Sequence, residues 1–158
     1  MTDKRETAGI HAPPPLVYLA AVLAGWGVQR LVPIPLGSGD AREIEWTIGW
    51  ALVVIGGAFM LSAVGFFIGA GTSPNPLTPT KALVFRGPYR ITRNPMYLGM
   101  TIVTAAVALV MNNAWVLLFT ALAVWVIRRF VIEKEEAYLR ARFGAPYEEY
   151  LTRVRRWI

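Results

Sequence analysis

Two short polar stretches interrupt a strongly apolar chain, and their residue types could bind a charged ligand. The first runs from Gly87 to Gly99 and carries two arginines, two tyrosines and two prolines. The second is the acidic cluster from Glu133 to Glu136. Tyrosine can stack on a flat ring or donate a hydroxyl, and the free N–H groups of a helix start favour a carboxylate. We therefore expect the two stretches to meet and to hold a charged cofactor at a membrane surface.

The first stretch also has an interpretation without a ligand. Asn94 is a good N-cap and Pro95 suits the first turn of a helix. Arg93 would then simply anchor the start of a membrane helix. That interpretation does not explain Tyr89 and Tyr97, which flank the cap and are suited to ligand contact.

The acidic cluster is only partly explained by helix electrostatics. Arg129, Glu133, Glu136 and Arg140 fall on one helical face, where each pair at four-residue spacing contributes about 0.3–0.5 kcal/mol. Glu135 lies beside the apolar residues of the same helix instead. A carboxylate in that position either reaches for water or meets a cation. A ligand ammonium or sulfonium group would serve as that cation.

The composition places these residues in a membrane protein. The chain has 158 residues, of which 55% are hydrophobic and only 16% charged, well below the quarter typical of soluble domains. It contains no cysteine, which excludes disulfides and thiolate catalysis, and its one histidine is His11, so we expect no metal site. The net charge of +6 favours contact with anionic lipid rather than with nucleic acid.

Hydropathy and proline positions predict the elements that hold the polar stretches. The uncharged run from Asn94 to Ile127 is too long for one span, and Asn112-Asn113 near its middle predicts a helical hairpin. Gly65 and Gly69 predict close helix packing. The remaining expected elements are a first span over Leu16–Leu36, a loop over Gly37–Glu45, a second span over Trp46–Ala70, a proline-stiffened linker over Thr72–Arg93, and amphipathic segments over Ile132–Phe143 and Tyr147–Arg156.

Charge distribution predicts the topology. The linker carries four basic residues and no acid, and the loop before the second span is net acidic. The positive-inside rule then places the linker and both termini in the cytoplasm, with four spans. We expect an all-α, multi-pass integral membrane protein of the bacterial inner membrane, with a C-terminal helical hairpin and cytosolic amphipathic helices. Residues 1–15 form a tail, and residues 16–158 form a single domain whose cofactor-binding half is 74–158.

The motifs resemble the isoprenylcysteine carboxyl methyltransferase family and the related phospholipid methyltransferases. The resemblance rests on Gly87-Pro88-Tyr89, the run from Arg93 to Gly99, Glu135-Glu136, Phe143-Gly144 and the pair Tyr147 and Tyr150. It covers about half of the chain, from Pro74 to Ile158. Asn94 stands where eukaryotic members have histidine, and Val131 stands where they have a substrate-facing arginine, for which Arg129 is the nearest substitute.

The resemblance implies an integral-membrane methyltransferase that uses S-adenosylmethionine. It implies that Glu135 holds the positive end of the cofactor and that Arg129 orients an anionic acceptor. The cofactor-binding positions that it implies are Lys81, Ala82, Leu83, Val84, Tyr89, Arg93, Asn94, Pro95, Met96, Tyr97, Glu135 and Glu136.

The sequence leaves alternatives open for both the methyl acceptor and the function of the protein. The implied acceptor is lipophilic and reaches the site sideways from the bilayer. Isoprenylcysteine-like carboxylates, phospholipid amines and small thiols are rival acceptors. A non-catalytic membrane assembly protein and an NADPH-dependent membrane reductase are alternatives of other classes. The oligomeric state stays open.

Overall fold

The computed structural model describes residues 13–75 and 78–158. His11 and most of the expected tail lie outside the described residues, as do positions 76 and 77 of the linker. The described part is all-helical and contains no strand, as predicted. Its helices are α1 (Pro14–Leu31), α2 (Asp40–Gly69), α3 (Pro95–Val110), α4 (Ala114–Ile127), α5 (Glu133–Phe143) and α6 (Ala145–Arg153), with a 3₁₀ turn at Gly87–Arg90 and a π-helical turn at Arg128–Ile132.

The first two helices differ from the sequence prediction at their facing ends. α1 stops at Leu31, five residues before the predicted end, because Pro33 and Pro35 cannot continue it. The predicted loop over 37–45 is wrong, since α2 already begins at Asp40. Asp40 and Glu43 lie in its first turn, where acidic side chains stabilise the positive end of the helix dipole.

Two helices are long and apolar enough to cross a membrane. One is α2, with 30 residues, and the other is the continuous 30-residue helix Ala114–Phe143, which joins α4, the π turn and α5. Only 11% of the most apolar window of α2 is buried inside the protein, so most of its apolar surface faces outward. α3 is a shorter apolar helix of 16 residues. By length and composition the described part thus supports two of the four predicted spans.

The predicted hairpin between α3 and α4 is confirmed, and its turn is held by the two asparagines. Asn112 adopts φ 51°, and its Oδ1 accepts N–H groups of Leu36 (2.7 Å) and Gly37 (3.0 Å). Asn113 caps α4 by accepting the N–H of Val116 at 3.1 Å. The asparagines therefore end one helix, start the next and fasten the turn to the loop after α1.

Glycine contacts hold the hairpin against α2, but not at the predicted pair. A Cβ added to Gly99 would lie 2.7 Å from Cβ of Met60 and 2.9 Å from the carbonyl oxygen of Gly56. A Cβ added to Gly65 or Gly69 would meet nothing within 4 Å. The prediction of close packing at Gly65 and Gly69 is wrong, because α3 contacts α2 nearer its middle, around Gly56.

The C-terminal part turns back onto the start of α3. Gly144 ends α5 with φ 58°, a conformation that favours glycine, and α6 begins at Ala145, two residues before the predicted start. Beyond α6 the chain reaches the residues that precede α3, where the N–H of Arg93 donates to the carbonyl oxygen of Arg155 at 3.0 Å. This return encloses the two polar stretches together.

Candidate functional site

A pocket with about 870 Å³ of empty space, including its open mouth, lies where the two polar stretches meet. The linker, the 3₁₀ turn and the start of α3 form one side, and α5 and α6 form the other. Its lining residues are Phe67, Ser73, Pro74, Asn75, Thr80, Ala82, Leu83, Val84, Phe85, Tyr89, Arg93, Asn94, Pro95, Met96, Tyr97, Glu135, Glu136, Tyr138, Leu139, Tyr147 and Tyr150.

A hydrogen bond between Tyr97 and Glu135 joins the two sides of the pocket. The hydroxyl of Tyr97, at the start of α3, donates to Oε1 of Glu135 on α5 at 2.8 Å. Glu135 lies beyond Arg128 and Arg129, outside the apolar part of its helix. Burial raises the pKa of Glu135 to about 7, while the hydrogen bond from Tyr97 opposes the rise and the charge of Glu136 adds to it. Near neutral pH this carboxyl group would ionise readily beside a cation.

Glu136, next to it, is buried and neutralised by two arginines. It accepts hydrogen bonds from Arg156 at 3.0 Å (Nε) and 2.7 Å (NH2), and it forms an ion pair with NH1 of Arg93 at 3.3 Å. The predicted partner Arg140 is wrong, because α6 brings Glu148 to Arg140 at 3.2 Å. A buried carboxylate requires such compensation. Glu136 therefore joins α5 to Arg156 and to Arg93, which precedes α3.

The predicted pair between Arg129 and Glu133 is confirmed at the protein surface. The Arg129 side chain is 63% exposed and does not line the pocket. The exposed pair contributes little stability.

Asn94 holds the start of α3 differently from the prediction. Pro95 occupies the first turn as expected, but the Asn94 side chain makes no cap hydrogen bond. Its Nδ2 donates instead to the carbonyl oxygen of Arg156 at 2.9 Å, and Oγ1 of Thr92 donates to the same oxygen at 3.0 Å. The Asn94 side chain therefore fastens the start of α3 to the returning chain through Nδ2, and its Oδ1 does not cap the helix.

Two buried polar groups that line the pocket have no hydrogen-bond partner within the described part of the chain. They are the hydroxyl of Tyr89 and Nε of Arg93. Burial, together with the nearby Tyr150 and Glu135, raises the pKa of Tyr89, so its hydroxyl keeps its proton. Buried donors are almost always paired in native proteins. Both donors are therefore available to acceptor atoms of a molecule bound in the pocket.

Aromatic rings make up much of the remaining wall. The ring centroids of Phe67 and Tyr89 are 5.2 Å apart, and those of Phe85 and Tyr150 are 4.9 Å apart. The hydroxyl of Tyr150 donates to the carbonyl oxygen of Tyr89 at 2.7 Å, which fixes the 3₁₀ turn. Burial raises the pKa of Tyr147 to about 12. Flat, apolar walls of this kind suit a heterocyclic ring.

The structure brings together most of the residues expected at the site. Of the twelve expected cofactor-binding residues, all except Lys81 line the pocket; they are Ala82, Leu83, Val84, Tyr89, Arg93, Asn94, Pro95, Met96, Tyr97, Glu135 and Glu136. Lys81 contributes a backbone N–H that donates to Oγ1 of Thr72 at 3.0 Å. Arg129 stays outside the pocket, as described above.

Sequence reasoning missed several residues of the pocket. Tyr138 could have been found, because it follows Glu135 by three residues and so shares its helical face. Its hydroxyl accepts the N–H of Thr80 at 3.2 Å. Phe67 carries no such signal, because its position depends on how distant segments pack. The same holds for Arg156, which does not line the pocket but binds Glu136 behind it.

Comparison with known proteins gives two findings. The model of a family described as phospholipid methyltransferase matches residues 44–146, well over half of the chain. An uncharacterized protein from Haemophilus influenzae is 36% identical over 63 residues, which cover 40% of this chain and 100% of that relative. The family match includes the 3₁₀ turn, the hairpin and α5, which carry both sides of the pocket.

Proposed function

The chain belongs to the phospholipid methyltransferase family, and on that basis we propose that it transfers a methyl group from S-adenosylmethionine to a lipophilic acceptor at a membrane surface. Membership indicates a methyltransferase that acts on a lipid-like substrate. We propose in addition which cofactor the protein uses, which residues bind it and which chemical group accepts the methyl group.

The bond between Tyr97 and Glu135 is the observation that carries the proposal. It shows a carboxyl group at the pocket wall, in contact with the start of the hairpin. S-adenosylmethionine combines a sulfonium, a carboxylate and a flat adenine ring. Glu135 fits the sulfonium, the orphaned Nε of Arg93 and hydroxyl of Tyr89 fit acceptor atoms such as those of the carboxylate, and the aromatic wall fits the ring.

Catalysis by this site would consist of alignment and charge stabilisation. When bound, the cofactor supplies a methyl group that its positive sulfur already activates. Tyr97 would orient Glu135 toward that sulfur, and the cofactor would supply its methyl group to the lone pair of the acceptor. No protein nucleophile is required, so the residues of the pocket would hold the reactants in line and exclude water. Glu135 would hold the positive end in position.

The acceptor would approach from the bilayer side. A groove with about 1190 Å³ of empty space, open solvent included, lies along α2 and is separated from the pocket by the shared segment of Leu83, Val84 and Phe85. Its α2 wall includes Gly65 and Gly69, where an added Cβ would meet no atom of the described residues within 4 Å. This arrangement supports a lipid acceptor, and the family description favours a phospholipid amine over a small thiol.

The proposed setting follows the positive-inside argument. The pocket-bearing linker and the segment from α5 onward would lie on the cytoplasmic face, with the protein as one multi-pass domain in a bacterial inner membrane. Residues 74–158 would then form its cofactor-binding half. A water-soluble cofactor would reach the pocket from the cytoplasm, while the acceptor stays in the lipid.

Methyl transfer from labelled S-adenosylmethionine into a membrane lipid extract tests the proposal. The detergent-purified protein should label an extractable lipid, which mass spectrometry then identifies. Glu135→Gln should reduce labelling at least tenfold, while Glu149→Gln serves as a matched control on an exposed helix position. A purified protein that binds no S-adenosylhomocysteine would support the assembly-protein alternative, and tight NADPH binding without adenosyl-cofactor binding would support the reductase.

A further inference from the structure

The last five residues, 154–158, which we call the C-terminal strap, fasten both sides of the proposed cofactor pocket. The carbonyl oxygens of Arg155 and Arg156 accept hydrogen bonds from Arg93, Thr92 and Asn94, all immediately before α3. Trp157 packs against the core cluster that contains Tyr97 and Ile132. The strap lies outside the residues that the family model matches, so the family match does not account for it.

The side chain of Arg156 makes the strap's contact with the other side of the pocket. Its Nε and NH2 bind the two oxygens of Glu136 at 3.0 and 2.7 Å, a two-pronged geometry that is strong for arginine and carboxylate. Glu136 is only 4% exposed, and its second partner is NH1 of Arg93 at 3.3 Å. Of the two arginines that neutralise Glu136, Arg156 is therefore the one with the better hydrogen-bond geometry.

Because the two arginines share Glu136 in this way, part of the Arg93 guanidinium group is left free to contact a ligand. Because Arg156 occupies both oxygens of Glu136, Arg93 touches that carboxylate through NH1, and its Nε stays unpaired beside the pocket. Without Arg156, a buried Glu136 would need a full partner, and Arg93 is the nearest cation. A two-pronged pair between Arg93 and Glu136 would draw the guanidinium away from the pocket.

We propose that Arg156 is a positioning residue that neutralises Glu136 so that Arg93 remains available to the cofactor's carboxylate and Glu135 to its sulfonium. The proposal rests on the proposed function, because it assumes that the pocket binds S-adenosylmethionine. Arg156 itself does not line the pocket, so its effect would be indirect, through Glu136 and Arg93.

Binding of S-adenosylhomocysteine and S-adenosylmethionine to the full-length protein in detergent, measured across pH, tests this role. Arg156→Gln should weaken S-adenosylhomocysteine binding at least fivefold, since that ligand keeps the carboxylate. It should also raise the pH midpoint of S-adenosylmethionine binding, because Glu136 would then be neutralised by one arginine instead of two and its negative charge would raise the pKa of Glu135 further. The other titratable groups facing Glu135 are Tyr89, Tyr97 and Tyr147, which stay protonated in this range.

Rescue variants separate positioning from simple stabilisation. Arg156→Lys keeps the charge and should retain the wild-type pH midpoint. The double variant Glu136→Gln/Arg156→Gln removes both charges and should restore S-adenosylhomocysteine affinity to within about threefold of wild type. If the single variant does not fold, the S-adenosylhomocysteine affinity of the double variant still tests the positioning role. Arg153→Gln, on the exposed side of α6, is the control that should change neither quantity.

The outcomes distinguish this inference from the proposed function. An unaltered protein that binds neither ligand overturns both. An unaltered protein that binds, with a folded Arg156→Gln variant of equal affinity and pH midpoint, overturns the positioning role alone. A double variant that remains as weak as the single variant also overturns it, because Arg156 would then act by a route other than Glu136.

Discussion

Replacing Glu135 by glutamine should selectively weaken binding of the charged cofactor. Glutamine keeps an acceptor oxygen for the hydroxyl of Tyr97 and removes only the negative charge. Two unit charges about 4 Å apart attract by roughly 4 kcal/mol at an effective dielectric constant of about 20. Desolvation cancels part of that attraction, so we expect a loss of at least about 1.4 kcal/mol, or tenfold in Kd, for S-adenosylmethionine. S-adenosylhomocysteine, which has a neutral sulfur, should lose less than about threefold.

The same substitution should remove a pH dependence of binding. With its pKa near 7, Glu135 is about one-tenth ionised at pH 6 and about nine-tenths ionised at pH 8. A bound sulfonium favours the ionised form, so the wild-type affinity for S-adenosylmethionine should increase by up to about tenfold from pH 6 to pH 8. Titration calorimetry at both pH values measures this change. Equal effects of Glu135→Gln on the two ligands would refute the pairing of the carboxylate with the sulfonium. An unchanged pH dependence in the variant would refute any contribution of the carboxylate to binding.

Four further predictions follow from the contacts of the site and the fold. Tyr97→Phe should weaken S-adenosylmethionine binding a few-fold in calorimetry without unfolding the protein, because it removes only the hydroxyl that orients Glu135. Without ligand, the wild-type protein should lose up to about 3 kcal/mol of stability as pH rises from about 4.5 to 7, because its folded state binds the Glu135 proton more tightly than the unfolded state does. Melting curves recorded across this pH range should show the loss, and the Glu135→Gln variant should lack it. Gly99→Val should lower the melting temperature through a clash with α2, whereas Gly27→Ala, whose added Cβ would meet nothing within 4 Å among the described residues, should have little effect. Arg129→Gln should leave S-adenosylmethionine affinity within about twofold, because the exposed side chain does not line the pocket; a larger loss would place it in the site.

Features set by local chemistry were predictable from the sequence. Asn112-Asn113 divides a run too long for one helix, and Pro74, Pro79 and Pro88 prevent a continuous helix between α2 and α3, so the hairpin and the linker could be placed in advance. The meeting of the two polar stretches was also predictable, because both lie at the open end of one hairpin. The contact between Tyr97 and Glu135 agrees with that expectation.

Features set by distant segments were not predictable in this way. Periodicity along α5 paired Glu136 with Arg140, but the chain beyond Gly144 brings a different partner to each of them. The amide of Asn94 was expected to cap its own helix and instead binds the carbonyl oxygen of Arg156. A pair at four-residue spacing is worth only tenths of a kcal/mol and a helix cap about 1 kcal/mol, so both yield to the contacts that form when the chain beyond Gly144 folds back.

Photochemical labelling tests most directly whether the two polar stretches form the cofactor site. Purified protein would be irradiated with labelled S-adenosylmethionine, with and without excess S-adenosylhomocysteine, and the labelled peptides identified by mass spectrometry. We predict competed labelling in peptides that contain Tyr89, Tyr97 or Tyr138, the aromatic residues of the pocket near Glu135. Competed labelling confined to the opposite end of the hairpin, around Trp46 or Trp115, or no competed labelling in a protein shown to bind the cofactor, would contradict the account.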